Sequence, residues 1–334
     1  MTYSAGGLIQ AADYNGFAST TSGANVNDIW ATGATDKGYG QSALATVSAA
    51  STVTATQWAG LVNNIASMAN HQGTSITSRT APVTGGIITI LSNLNTDLTN
   101  LTTNRGNAAA SGTTIGTFSG TTSKTTATGS GNAAWTITFT HTVTFADANA
   151  ARYFFNAGGL VKIMYGKSST GTDHDPNWNT LAGQCGSIFF SGRVNGTTNT
   201  IAGTGYTGTT RIGGTGGTQT TLATTTGFYN LTAGGAATTI FQLNNATAPY
   251  TPEYIRTTVA LNAGGNILTF VTTWVDDGTG VIGSTSNISG GTATTSPATS
   301  ITGNAPTTLV NLVPPSTTYL SASWGTPTIA AAVA

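Results

Sequence analysis

The sequence predicts an α+β fold, mainly β, in which short N-terminal helical modules precede an antiparallel β-sandwich-like domain. Three observations carry this expectation. Thr supplies 71 and Gly 44 of the 334 residues, and the branched Cβ of Thr favours extended backbone while Gly supplies turns. The stretch "AWTITFTHTVTF" alternates large side chains with Thr throughout, which is the period-two mark of a strand with one buried face. The first hundred residues instead carry apolar side chains at three- and four-residue spacing, the period of helices. The division expected is a helical attachment or oligomerisation region over 1–110, a Gly/Ser/Thr-rich linker over 111–132 that could contain an extended strand, and a β-sandwich over 133–334.

The helices come first. "VTATQWAGL" (53–61) restates "IQAADYNGF" (9–17), with Ala55 over Ala11, Trp58 over Tyr14, Gly60 over Gly16 and Leu61 over Phe17. In the second copy Thr54 and Gln57 have capping-box spacing. Trp58, Leu61, Val62, Ile65 and Met68 then mark one helical face, and Gly73 is a suitable stop. The first copy is weaker, because Gln10 cannot cap as Thr does and the apolar stripe fades after Phe17. "TDKGYGQS" (35–42) reads as a turn-rich loop. A third helix is marked by Ile87, Leu91, Leu94, Leu98 and Leu101, a heptad seam closed by Arg105 and Gly106. Its opposite face carries Asn93, Asn95, Thr96 and Asn100, with Asp97 the one charge. Packing in a small bundle and self-association are both open to such a seam, and the nearly neutral opposite face favours self-association. The candidate oligomer-interface residues are Tyr14, Phe17, Trp58, Leu61, Ile65, Ile87, Leu91, Leu94, Leu98 and Leu101.

In the β region Trp135, Ile137, Phe139, His141, Val143 and Phe145 face one way. "ADANAARYFFNAGG" reads as a short helix or turn capped by Asp147 and stopped by Gly158. "LVKIMYG" (160–166) and "SIFFSGRV" (187–194) read as strands. "DPNWNTLAG" starts a helix, with Asp175 at the cap and Pro176 at the first helical position. Further strands are expected at 238–243, 253–261, 267–275 and 308–313, which together suggest a sandwich. The Gly/Thr-rich stretch 196–222 reads as loop.

Ten basic and ten acidic residues leave a formal net charge of zero, and only 6% of residues are charged, against about 25% in ordinary domains. Nucleic-acid binding needs clustered Lys and Arg and is not expected, nor is a basic membrane-surface patch. Near-zero charge promotes association, so a homo-oligomer is expected. No run reaches the length of a membrane span, and "MTYSAGGLIQ" lacks the pattern of a secretory signal. The single Cys185 leaves no disulfide framework or Cys-based metal knuckle.

Candidate chemistry is sparse. "GTGYTG" (203–208) fits a dinucleotide fingerprint but lacks the preceding strand and following helix. "GKSS" (166–169) has Val161 where the first Gly of a phosphate loop belongs. Asp173, His174 and Asp175 could supply ligands to Ca²⁺ or, with His174, to a transition ion, and so could Asp276 and Asp277. The competing readings are a helix cap for Asp175 and a strand-end turn for the second pair. His141 reads as a core imidazole, with a minor alternative of a metal on a three-fold axis, and His71 as a partner of terminal helix carbonyls. Trp178, Tyr206, Tyr229 and Trp274 are candidate glycan-binding aromatics, with core placement as the competing reading of both tryptophans. No cofactor and no catalytic residue is expected, and one Glu with nine Asp offers little choice to a depolymerase.

The order of the phrases "AADYNGF", "GYGQ", "VTATQWAGL…NHQG", "NRG" and "ADANAARYFFNAGG" resembles the structural and tail-fibre proteins of tailed phages, especially those of marine and freshwater bacteria and cyanobacteria. The resemblance covers roughly residues 5–166, and the most specific pieces are Gly38-Tyr39-Gly40-Gln41, His71-Gln72-Gly73 and Phe154-Phe155-Asn156-Ala157-Gly158-Gly159. An insertion-like "TTSGANVNDIWATGAT" separates the first helix start from "GYGQ". The resemblance implies a non-enzymatic, oligomeric structural part of the virion, and the reading drawn from it is a trimeric tail fibre or baseplate-associated fibre assembled in host cytoplasm. Its implied partners are other tail or baseplate proteins and a host surface glycan. The alternatives are a glycan-binding receptor module of the virion and a bacterial adhesin or surface-layer protein.

Overall fold

The computed structural model describes residues 10–19, 24–33, 35–85, 93–107, 120–123, 135–167, 174–192, 199–201, 204–248, 250–276 and 306–334. The chain opens with α1 (Ala11–Ala18), α2 (Val26–Trp30), α3 (Ala55–Gln72) and α4 (Leu94–Thr103), followed by a 3₁₀ turn at Arg105–Asn107. Then come β1 (Gly120–Ser123), β2 (Trp135–Thr144), α5 (Ala148–Asn156), β3 (Leu160–Gly166), α6 (His174–Cys185) and β4 (Ser187–Phe190). Short strands β5 (Asn199–Ile201), β6 (Thr204–Tyr206), β7 (Thr209–Ile212) and β8 (Thr218–Leu222) follow. The chain finishes with β9 (Thr238–Asn244), β10 (Tyr254–Leu261), β11 (Ile267–Asp276), β12 (Thr307–Val313) and β13 (Thr328–Val333).

Two antiparallel sheets form the sandwich, one ordered β1-β12-β3-β4-β7 and the other β13-β2-β11-β10-β9-β8. The alternation of "WTITFTHTVT" is realised on β2, where Ile137, Phe139, His141 and Val143 are fully buried. Aromatic contacts join the layers: Phe190 meets Phe270 edge-on at 5.4 Å between centroids, and Tyr165 stacks on Phe241 at 5.8 Å. Hydroxyls cross the same gap. Tyr165 Oη lies 2.7 Å from Thr257 Oγ1, which lies 2.9 Å from Thr272 Oγ1, and Trp274 Nε1 donates to Thr308 Oγ1 at 3.3 Å. These buried hydroxyls and the Trp274 indole thus find neutral partners, which offsets the cost of removing them from water.

The helical layer is bound by caps and amides. Gln57 N–H donates to Thr54 Oγ1 and Thr54 N–H to Gln57 Oε1, completing the expected box, and Gly73 ends α3 at φ +65°. At α1 the equivalent of the second bond is present, with Gln10 N–H donating to Asp13 Oδ2 at 2.9 Å. Asn27 and Asn15 each bracket one residue of the extended segment between α2 and α3. Each donates its Nδ2 to the carbonyl and accepts the N–H, at Leu44 and Val47 respectively, with all four bonds at 2.8 Å. These side-chain amides serve as a neighbouring strand would.

Several expectations are corrected here. The "insertion" contains α2, capped by Asn25 accepting from Asp28 N–H. The 111–132 stretch, read as a linker that could contain an extended strand, does hold one, β1, paired in register with β12, and one hydrophobic core runs from Trp58 through Phe154 to Trp274. The 196–222 stretch holds β5 to β8, of which β7 and β8 are edges of the two large sheets and β5 and β6 pair with each other. Helix α4 begins at Leu94, after Asn93 at φ +58°, while Ile87 and Leu91 lie outside the described residues.

The interface role is the largest correction. Tyr14, Phe17, Trp58, Leu61, Ile65, Leu94, Leu98 and Leu101 are all buried, at 0–1% exposure, within the single chain. The two helix starts meet each other: Tyr14 lies edge-on to Trp58 at 5.3 Å, with Phe17 at 6.5 Å. Periodicity announces that an apolar face will be covered, and here the cover is the chain itself. Asp97, expected on a solvated face, is a buried residue of α4 and forms an ion pair with Arg79 at 2.5 Å while accepting Thr77 N–H.

Candidate functional site

Three short motifs far apart in sequence come together where the helical layer meets the sandwich. The first is Gly38-Tyr39-Gly40-Gln41. Its backbone N–H groups are tied to the end of α2, with Tyr39 donating to Ile29 O, Gly40 to Ala31 O and Gln41 to Trp30 O. Gly40 sits at φ +72° with its Cα against the Tyr153 ring, where a Cβ would penetrate the ring. Tyr39 is 1% exposed, and its hydroxyl donates to Arg105 O and accepts from Gln72 Nε2, both at 2.9 Å. Burial pushes the Tyr39 phenol well above its ordinary range. Gln41 brackets Ser321 as the asparagines bracket their targets, accepting its N–H at 2.8 Å and donating to its carbonyl at 3.0 Å.

The second motif is His71-Gln72-Gly73 at the end of α3. His71 is 2% exposed, with its ring edge-on to Tyr39 at 5.4 Å between centroids. Its Nε2 is 3.1 Å from Ala157 O, and because a carbonyl only accepts, Nε2 carries the proton. The expected helix-end role gives way to this bond across the join. Burial lowers the His71 pKa to about 4, against the opposing effect of the Ala157 bond.

The third motif is Phe154 to Gly159, which ends α5. Phe154 and Phe155 enter the core, and Asn156 Nδ2 donates to Gly38 O at 2.8 Å. The Tyr229 hydroxyl donates to Asn156 Oδ1 at 2.5 Å. Charges ring the join. Arg105 pairs with Asp36 at 2.7 Å, Lys37 pairs with Asp28 at 2.6 Å, and Arg152 donates to Thr32 O and Thr35 O. Five of the twenty charged residues, Asp28, Asp36, Lys37, Arg105 and Arg152, therefore serve one loop. Burial alone would raise the Asp36 pKa, but the hydrogen bond and charge of Arg105 prevail and hold it below the usual range.

The sequence pointed to the three motifs without indicating that they touch. It missed Asn156 as a tie, Asp36 and Arg152 as supports, and Arg105 as more than a helix end. The usable signal was placement: in so uncharged a chain, Asp and Arg flanking the motifs mark them.

The other candidate residues separate. Trp178 and Trp274 are fully buried, 5.8 Å apart between ring centroids, which removes both as glycan platforms and bears out their core reading. Tyr229 is half-buried with its hydroxyl engaged at the join. The side chains of Tyr206, His174 and Asp175, all of Asp173 and all of Asp277 lie outside the described residues, while α6 begins at His174, one residue before the expected cap. His141 is fully buried on the inner face of β2, so its single-chain position rules out a meeting of three copies at that side chain. Among the described residues no group of three His, Cys, Asp or Glu side chains is placed to hold a metal, and no helix is long and apolar enough to cross a membrane. Cys185 is buried, and burial raises its thiol pKa, the opposite of what a nucleophile needs.

Comparison with protein-family models, with curated proteins and with solved structures gave no match to this chain.

Proposed function

We propose that the chain is a non-enzymatic structural component of a tailed-phage virion, a homo-oligomeric tail-fibre or baseplate-associated fibre protein assembled in host cytoplasm. The observation that carries this reading is the convergence of its most specific phrases. Gly38-Tyr39-Gly40-Gln41, His71-Gln72-Gly73 and Phe154 to Gly159 bind one another in one buried join. Residues that give the resemblance thus have an architectural use, and that use is to fix a helical layer to a β-sandwich. The chemistry of the fold supports the same reading. Neutral amide and hydroxyl bonds hold it together, and such bonds keep their strength across changes of salt better than exposed ion pairs do.

Oligomerisation is supported by the resemblance and the near-zero net charge, and a trimer is the form proposed. It would use surfaces other than the aromatic and leucine faces of α1, α3 and α4, which are occupied internally. Immunogold electron microscopy and mass spectrometry of gradient-purified phage particles test the assignment. Stoichiometric chain in the particles, with label at the tail, is the expected result, and absence from purified particles would overturn it.

A further inference from the structure

His71 stands apart from the other bonds of the join. The amide ties from Asn156 to Gly38 and from Gln41 to Ser321 contain no ionisable group. We propose that protonation of His71 unlatches the helical layer from the sandwich, so that mild acid opens this join locally. The geometry gives the reason. Nε2 already donates to Ala157 O, and Nδ1, buried beside the Tyr39 ring, has no hydrogen-bond partner among the described residues. A second proton would place a cation in a site that offers it no acceptor, and that is costly in a low-dielectric interior.

Among the described residues, the groups of the join supply no counter-charge to His71. From the loop comes Tyr39, kept neutral by its raised pKa, and from α3 comes the amide of Gln72. The 3₁₀ turn contributes Arg105, whose cation is held by Asp36. From α5 come Tyr153 and Arg152, the latter over the Tyr153 ring at 5.3 Å, and beyond them Tyr229, also raised by burial. Asp36 stays ionised through this range, because its pKa is lowered. Opening exposes the imidazole to water, where its ordinary pKa of 6.5 applies, whereas the closed form titrates at about 4. Between these values the open form binds a proton that the closed form does not, so the equilibrium favours opening as pH falls. Linkage makes the opening constant about 30-fold larger at about pH 5 than at about pH 8.

The Ser321 amide reports on the join, since its N–H is protected by Gln41 from the helical layer. Native-state hydrogen exchange, corrected for the intrinsic effect of pH, would follow this amide in the wild-type chain and in H71Q, whose amide nitrogen still donates to Ala157 O. The expected result is a fall of about 30-fold in wild-type protection between about pH 8 and about pH 5, with H71Q unchanged. Constant wild-type protection, or an equal fall in H71Q, would overturn the proposal. If H71Q does not fold, the titration of the wild-type His71 ring decides, upholding it with a midpoint near 4 and overturning it with one near 6.5.

Discussion

At the scale of single residues the join depends on satisfied polar atoms and on space. Tyr39→Phe removes one oxygen and leaves Gln72 Nε2 and Arg105 O buried without it. The expected loss is about 1–3 kcal/mol, read as a lower urea midpoint at unchanged slope. Two glycines separate conformation from crowding. Gly73 and Gly40 have nearly the same φ, +65° and +72°, but a Cβ at Gly73 meets nothing within 4 Å while one at Gly40 enters the Tyr153 ring. Gly73→Ala should therefore cost about 1 kcal/mol for the backbone alone. Gly40→Ala adds overpacking of about 1–3 kcal/mol to a similar backbone term. Equal losses in the two variants, measured by urea titration, would contradict the Tyr153 contact.

At the scale of elements, the capping box of α3 offers a direct check. Thr54→Ala should cost about 1 kcal/mol, seen as a lower melting temperature by circular dichroism, and no change would mean that the helix start is fixed by packing alone. This box was legible in the sequence because capping is local: Thr54, Gln57 and Gly73 lie within one helix. The alternation of β2 and the Asp147 cap of α5 were legible for the same reason. What lay beyond local pattern was less so. Helix α2 has five residues, too short for a stripe to declare itself. Strands β1, β7, β8 and β13 sit at sheet edges, where sequences rich in Thr, Gly and Ala carry little alternation and pairing alone defines the strand. Helix spacing showed that Trp58 and Leu98 needed cover. It could not show whose surface covers them, because that is settled by distant segments. The join was hidden likewise, since Tyr39 and Arg105 are 66 positions apart.

At the scale of the whole molecule, occupied apolar faces imply that folding does not wait for association. Leu98→Ala, at a fully buried position, should destabilise the chain by about 2–5 kcal/mol. The loss should be the same at low and high protein concentration, whereas a seam between copies would make the midpoint move with concentration. Sedimentation and urea midpoints over a hundredfold dilution series give the answer.

The helical layer and the sandwich share one core and one hydrogen-bonded join, so at neutral pH they should unfold together. Hydrogen-exchange mass spectrometry across a urea series, following peptides from α3 and from β11 in the same sample, measures this most directly. A common midpoint for both peptides is the predicted result. Loss of α3 protection at clearly lower urea, with β11 still protected, would show two independent bodies and contradict the union of helices and sandwich through Tyr39, His71 and Asn156.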